Sequence, residues 1–148
     1  MRITKIAGVM SLAAVFMTNL LFAQNDIEIE IFHKLNGAEF GFGDEAATPE
    51  DIPFELERME YYISEISVQH DGGLVTDFED VWALVQAGSS STIIDLGSDL
   101  IEAVESVSFS IGVDAAHNHL DHTLYSSSHP LGPKSPSMHW GWTAGYRF

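Results

Sequence analysis

The first strand is predicted by a strict alternation of apolar and acidic positions. Residues Asp26–Phe32 read D-I-E-I-E-I-F, which places the three isoleucines on one face and the acids on the other. A period of two residues is typical of a strand with one buried face. The pair Asn36-Gly37 follows shortly afterwards and predicts a turn.

A second alternating stretch extends from Phe54 to Val68 and changes register midway. It predicts a strand and not a helix, either regular or interrupted by a bulge. The sequence H-D-G-G at His70–Gly73 has the composition of a hairpin turn, and residues 74–85 are apolar enough to form the returning strand.

Three further segments complete the pattern. Ser89–Ser91 predicts a loop, and the apolar residues between positions 93 and 104 are compatible with one short helix. Val107–Val113 reads V-S-F-S-I-G-V and is the clearest strand, with its apolar residues facing one way. Ala115–Pro136 is long, polar and rich in His, Ser and Pro. Short strands joined by Gly and Pro turns predict an all-β fold, an antiparallel β-sandwich or barrel with a long His-rich loop and at most one short helix.

The amino terminus has the pattern of a secretory signal. Arg2 and Lys5 form a basic start, and Ile6–Met17 is an apolar run shorter than the roughly 20 residues that span a membrane. We therefore predict a cleaved signal at residues 1–23, no membrane span, and one exported domain at residues 24–148. This domain is expected in the periplasm or outside the cell. With no cysteine in the chain, neither a disulfide nor a lipid-anchoring cysteine is available.

The charge of the chain excludes some classes of partner. The formal net charge is −16, and removing the two basic residues of the signal with no acid leaves −18. Binding to nucleic acid or to anionic lipid depends on Lys and Arg that neutralise phosphate, so neither partner is expected. A strongly acidic surface attracts cations, including metal ions.

Histidines are concentrated near the carboxy terminus. Five of the seven fall within 23 residues, at positions 117, 119, 122, 129 and 139. A loop of this length usually has functional content or is disordered. In an extended backbone, His117 and His119 would share a face at a spacing of about 7 Å. Imidazole is a common metal ligand, and the thioether of Met138 would suit Cu(I).

Other interpretations of these residues remain open. The histidines can be solvent-facing, Met138 can fill the core, and Trp140 and Trp142 can pack on one sheet face. The chain would then be a non-metal interaction module that meets a protein or a glycan. No sequence motif of a hydrolase or a nucleotide-binding enzyme is present, so an enzyme is not predicted. Zinc held by three histidines with an open position is a weaker alternative, because no general base stands at a recognisable spacing.

Six short motifs carry a resemblance to a known family. In chain order they are FHKLNG, YYIS, HDGG, FSIGVD, NHLD and MHWGWTAGYRF, the last at Met138–Phe148. This set resembles the MbnP-like family of exported copper-binding proteins and covers nearly all of the predicted mature chain. The W-x-W-x-x-G-Y element and the G-V-D element are its most specific parts.

The resemblance implies a periplasmic or secreted β-sandwich that binds copper. In some members the ligands are histidines and a tryptophan that a dihaem partner enzyme oxidises to kynurenine. Carried over to this chain, the implied ligands are His33, His70, His119, His129 and His139, with His117 and His122 outside the matching motifs. Trp82, Trp140 and Trp142 are the candidates for oxidation.

Two further expectations concern the surroundings of such a site and the chain end. Asp114 or Asp121 is expected to accept the second ring N–H of a ligating histidine. The four cysteines of some relatives are absent, and the chain ends two residues after the G-Y element. The resemblance therefore implies a missing carboxy-terminal part and an open sheet edge.

Overall fold

The computed structural model describes residues 24–35, 37–88 and 91–147. The predicted signal at residues 1–23 lies outside the described residues, as do Asn36, the first two residues of the predicted loop Ser89–Ser91, and Phe148. The strands, in chain order, are β1 Asn25–Ile31, β2 Lys34–Leu35, β3 Ala38–Glu39, β4 Glu45–Ala47, β5 Pro53–Glu55, β6 Glu60–His70, β7 Leu74–Phe78, β8 Ala83–Gln86, β9 Thr92–Asp99 and β10 Val104–Ile111. One 3-10 turn follows at His122–Leu124.

The strands form two main antiparallel sheets. In the central sheet, β6 pairs with β10 along one side, while its two halves pair with β7 and β8 along the other. The second sheet contains β1 and β9, and two small hairpins are formed by β2–β3 and β4–β5. The prediction of an all-β, antiparallel fold is confirmed. In the described residues, no helix is long and apolar enough to cross a membrane.

The main core lies between the two sheets. It contains buried side chains from β6, β8 and β9, and isoleucines of β1 pack against it. Its fully buried members are Ile63, Ile66, Ala83, Val85 and Ile94. This arrangement is a β-sandwich, as predicted, and the alternating isoleucines of β1 supply one of its faces.

A second core lies on the other face of the central sheet. Tyr62 points away from the main core and packs against residues of the carboxy-terminal segment, residues 113–147. The buried partners are Leu131, Met138 and Tyr146. The Tyr62 hydroxyl donates to the Pro130 carbonyl at 3.2 Å, so the histidine-rich region is held on the sheet.

The strand boundaries differ from the predicted ones at three places. The stretch Phe54–Val68 contains two strands, β5 and β6, and β6 is bulged near Glu65, where the pairing with β10 shifts and φ is 52°. Residues 74–85 also form two strands, because the chain turns at Asp80 with φ 56°. The segment between positions 93 and 104, which was compatible with one short helix, contains no helix in the structure. Strand β9 lies there instead, because Ile94 is buried against the main core while its neighbour Ile93 is exposed.

The strand predicted at Val107–Val113 is present as β10, which ends at Ile111. Its apolar face, however, is exposed. Val107 and Ile111 pair with Val68 and Ile63, so they lie on the core side of the central sheet. Their side chains are nevertheless 40% and 64% exposed, and Phe109 between them is 45% exposed. The β1–β9 sheet does not cover this edge strand within the described residues. An apolar sheet edge is therefore open to solvent.

Candidate metal-binding histidines

The five histidines of the carboxy-terminal segment lie in two clusters with aromatic residues. The first, here called the Trp82 cluster, contains Trp82, Asp114, His117, Tyr125 and His129. The second, the His139 cluster, contains His119, His122, His139, Trp142 and Tyr146. Of the histidines implied by the resemblance, His129 lies in the first cluster and His119 and His139 lie in the second, and His117 and His122 join them.

The carboxylate of Asp114 lies at the centre of the Trp82 cluster and accepts two side-chain hydrogen bonds. Its Oδ1 atom accepts a hydrogen bond from Nδ1 of His117 at 2.7 Å, and its Oδ2 atom accepts one from Nε1 of Trp82 at 2.7 Å. The Trp82 ring lies 4.6 Å from the His117 ring and 5.8 Å from the His129 ring, measured between centroids. Asp114 therefore fixes an indole and an imidazole together, with a second imidazole beside the indole.

The hydrogen bond to Asp114 prepares His117 to bind a cation. With Nδ1 donating to the carboxylate, the neutral ring has its lone pair on Nε2, which is the arrangement of many metal-ligating histidines. This Nε2 lies 4.0 Å from Oδ1 of Asp80. Both residues line a cavity of about 370 Å³ whose other walls include Glu65 and Asp77. The predicted role of Asp114 as a hydrogen-bond acceptor for a histidine agrees with this contact.

A turn after β10 creates this geometry. The backbone N–H groups of Ala116 and His117 donate to the Asp114 side chain, at 3.1 and 3.2 Å, and Asn118 N–H donates to the Asp114 carbonyl at 2.9 Å. Aspartate is favoured at the start of such turns because its side chain reaches the backbone two residues on. The backbone of His117 is therefore part of a turn and not extended, so the condition under which His117 and His119 would share a face is not met, and the two rings contact different partners.

The His139 cluster is built on the terminal hairpin, residues 138–147. His139 and Tyr146 form a β-bridge, and the His139 ring stacks on His122 at 4.6 Å between centroids. Nδ1 of His139 accepts from Gly141 N–H at 3.2 Å, so in the neutral ring Nε2 holds the proton. That buried Nε2 has no hydrogen-bond partner among the described residues. His139 must change tautomer before it can bind a metal at Nε2.

His119 differs from its neighbours in this cluster. Its Nδ1 donates to the Trp142 carbonyl at 2.9 Å, which leaves the Nε2 lone pair available. His119 and His117 are therefore the two histidines of the segment whose Nδ1 donates to a fixed protein acceptor. By contrast, Nδ1 of His129 accepts from Leu131 N–H at 3.1 Å.

The two remaining predicted ligands lie outside the carboxy-terminal segment, His70 at the end of β6 and His33 between β1 and β2. His70 is buried and uses both ring nitrogens, Nδ1 with Asp71 and Nε2 with Thr76, each at 2.9 Å. His33 has its Nε2 atom 3.2 Å from the Tyr61 hydroxyl. The structure gives both histidines local contacts, and their ligation stays a prediction. Across the described ranges, no group of three or more His, Asp or Glu side chains is arranged to hold a metal ion.

Burial disfavours the protonated form of one histidine in each cluster, and hydrogen bonds favour the ionised form of Asp114. Burial lowers the pKa of both His129 and His139. Burial acts to raise the pKa of Asp114, but the hydrogen bonds from His117 and Trp82 outweigh it and hold the pKa below its usual range. Neutral imidazole is the form that binds metal.

The stability of the metal-free protein is expected to fall as the pH drops below about 6.5, the ordinary pKa of histidine. Because the folded protein holds His129 and His139 at a lowered pKa, the unfolded chain takes up protons first and is favoured. Urea unfolding at pH 7.5 and pH 5.0 measures the change. The double variant His129→Gln, His139→Gln should show a smaller loss than the wild type, with His33→Gln as the control. An equal loss in the double variant would contradict this assignment.

A family model and a solved structure both match this chain. The family model described as MbnP matches residues 24–148. A solved structure, MbnP from Methylosinus trichosporium, superposes with a TM-score of 0.63 at 18% sequence identity, covering 85% of this chain and 53% of that one. The chain thus spans about half the length of that structure, and at this identity the likeness concerns the fold. No curated protein matches the chain.

Proposed function

The chain belongs to the MbnP family, and on that basis we propose that it is an exported protein of the periplasm or cell exterior that captures copper through the Trp82 cluster. The observation that supports this proposal is the hydrogen bond from His117 Nδ1 to Asp114, which leaves Nε2 ready to bind at the wall of an acid-lined cavity. The proposed action is capture and not catalysis.

The donor set of the cluster suits copper. Imidazole is a good copper ligand, and the cluster contains two imidazoles, those of His117 and His129. His117 is the first ligand, because its tautomer is already correct. His129 is the second, and its recruitment requires the hydrogen bond from Leu131 N–H to open so that the proton can move to Nδ1. Because Leu131 is buried, leaving its N–H without an acceptor costs about 1–3 kcal/mol, which a metal–imidazole bond can offset.

Trp82 is the tryptophan that we propose for the oxidation found in some MbnP-like proteins. It contacts His117 and His129 and donates to Asp114, whereas Trp140 and Trp142 are more than 60% exposed. A dihaem partner enzyme would have to perform that oxidation. The mass of the peptide that contains Trp82, isolated from the native host, tests this part of the proposal: an unaltered mass in copper-loaded protein would contradict it.

Substitutions in the Trp82 cluster should weaken copper binding in a fixed order. Removing an orienting hydrogen-bond partner of a ligand usually costs 10–100-fold in metal affinity. Asp114→Asn is therefore expected to weaken binding about 10–100-fold, and His117→Ala to weaken it more. Competition with a coloured Cu(I) chelator, on untagged protein, measures these affinities.

The matched control is His119→Ala, because His119 also has a donating Nδ1 and an available Nε2 but lies in the other cluster. It should bind copper like the wild type. If His119→Ala and His139→Ala lose copper while His117→Ala keeps it, the site is the His139 cluster and this proposal is wrong. If wild-type protein takes up neither copper nor zinc, the chain is better described as an interaction module.

A further inference from the structure

A cavity beside the terminal hairpin contains half of the few positively charged side chains of residues 24–148. Residues 24–148 contain four Lys and Arg side chains, and Arg58 and Arg147 both line a cavity of about 520 Å³. It lies beside the start of β6, the end of β10 and the terminal hairpin. Its walls are otherwise mainly apolar, with Met59, Ile111 and Met138.

Arg147 lacks an anionic partner in this cavity. Within the described residues, no carboxylate lies within 4.0 Å of its guanidinium group, and its buried Nε has no hydrogen-bond acceptor. The group is held in place by the Trp140 ring, whose centroid lies 4.2 Å from Cζ. A buried donor without an acceptor is costly, so a ligand that supplies an acceptor would stabilise this site.

Arg58 adds a second guanidinium that is only partly neutralised. It forms an ion pair with Glu60 and also donates to the Met138 sulfur at 3.4 Å. The second oxygen of Glu60 accepts from Gln86 at 2.7 Å, so this one carboxylate is shared. Two guanidinium groups and one carboxylate give the cavity lining a net charge of about +1. The rest of the protein is strongly acidic and repels anions. A ligand with a single negative charge would therefore match this cavity better than one with several.

From these contacts, we propose that the cavity binds a small organic monoanion, a carboxylate with an apolar body. The carboxylate would accept from the planar fork of Arg147, which matches its geometry. The apolar body would contact the two methionines and Ile111. This site is separate from the Trp82 cluster and does not depend on copper binding.

Titration of the metal-free protein with benzoate, hexanoate and inorganic phosphate, followed by calorimetry or NMR, tests the proposal. Benzoate or hexanoate should bind saturably in the millimolar range, and phosphate more weakly. Arg147→Gln should weaken carboxylate binding at least tenfold, while Arg147→Lys should restore part of it because charge returns without the fork. Lys134→Gln is the control for general electrostatics and should bind like the wild type.

A second variant keeps both arginines, so that the test does not depend on whether an arginine variant folds. Ile111 is 64% exposed, so Ile111→Glu should fold normally and repel the ligand from the rim of the cavity. Thermal melting of each variant confirms that it is folded. The proposal is overturned if no carboxylate binds the wild type, if phosphate binds and benzoate does not, or if Arg147→Gln and Lys134→Gln have equal affinities.

Discussion

Replacing Leu131 with alanine is expected to lower the free energy of unfolding by about 2–5 kcal/mol, the usual range for a large-to-small change in a packed core. Leu131 has no exposed surface and packs with Tyr62, Met138 and Tyr146 in the second core. Its removal would leave a cavity between the central sheet and the segment that holds the histidines. Denaturant unfolding at neutral pH measures the change.

The matched control is Leu124→Ala, the same substitution at a side chain that is 82% exposed. It should change the free energy of unfolding by less than about 0.5 kcal/mol, as surface substitutions usually do. The Leu131 variant should also bind copper less well, because the second core holds the histidine-bearing segment on the central sheet. Equal destabilisation by the two substitutions would show that the second core contributes little.

Replacing Gly145 with alanine should have a comparable effect for a different reason. Gly145 has φ 72°, and a Cβ atom there would lie 2.6 Å from both the carbonyl oxygen and Oδ1 of Asn118. The left-handed conformation costs an alanine about 1–2 kcal/mol. Relieving such a clash typically costs about 1–3 kcal/mol more. Displacing Asn118 would also break its hydrogen bond from Tyr146 N–H, which joins the terminal hairpin to the Asp114 turn.

The control variant Gly97→Ala separates the backbone cost of Gly145→Ala from the cost of its clash with Asn118. Gly97 has φ 80°, but nothing lies within 4 Å of a Cβ placed there, so only the backbone term applies. In the same unfolding experiment, Gly145→Ala should exceed Gly97→Ala by about 1–3 kcal/mol. Equal losses would mean that Asn118 moves aside without cost. A larger loss in the Gly97 variant would contradict the packing described for the hairpin.

The strands were predictable where alternation and burial coincide. The isoleucines of β1 and the H-D-G-G turn are short-range signals, and both appear in the structure as expected. The apolar face of β10 was predicted equally clearly, yet alternation reports only which side chains share a face. It contains no information on whether another layer covers that face. Whether a second layer covers the apolar face of β10 depends on residues far away in the chain, and alternation within one strand does not reveal it.

The candidate site was harder to predict than the fold. The concentration of histidines in the sequence pointed to the segment that forms both histidine clusters, and the expectation that Asp114 accepts from a histidine agrees with the structure. The partner, however, is His117, which the resemblance left out. The spacing D-x-x-H was the available signal, since an aspartate that starts a turn brings the third following residue back to its own side chain. Leu131 gave no signal, because it lies in a polar segment without periodicity.

The pairing of β6 also constrains the order in which the molecule can assemble. Every other strand of the central sheet hydrogen-bonds to β6, but the intervening loops differ greatly in length. Closing the three-residue turn to β7 costs little chain entropy, whereas β10 must return across more than thirty residues. We therefore expect the β6–β7 hairpin to form early and the carboxy-terminal segment to dock late. Changes in the turn would then mainly affect the folding rate, and changes around Leu131 the unfolding rate.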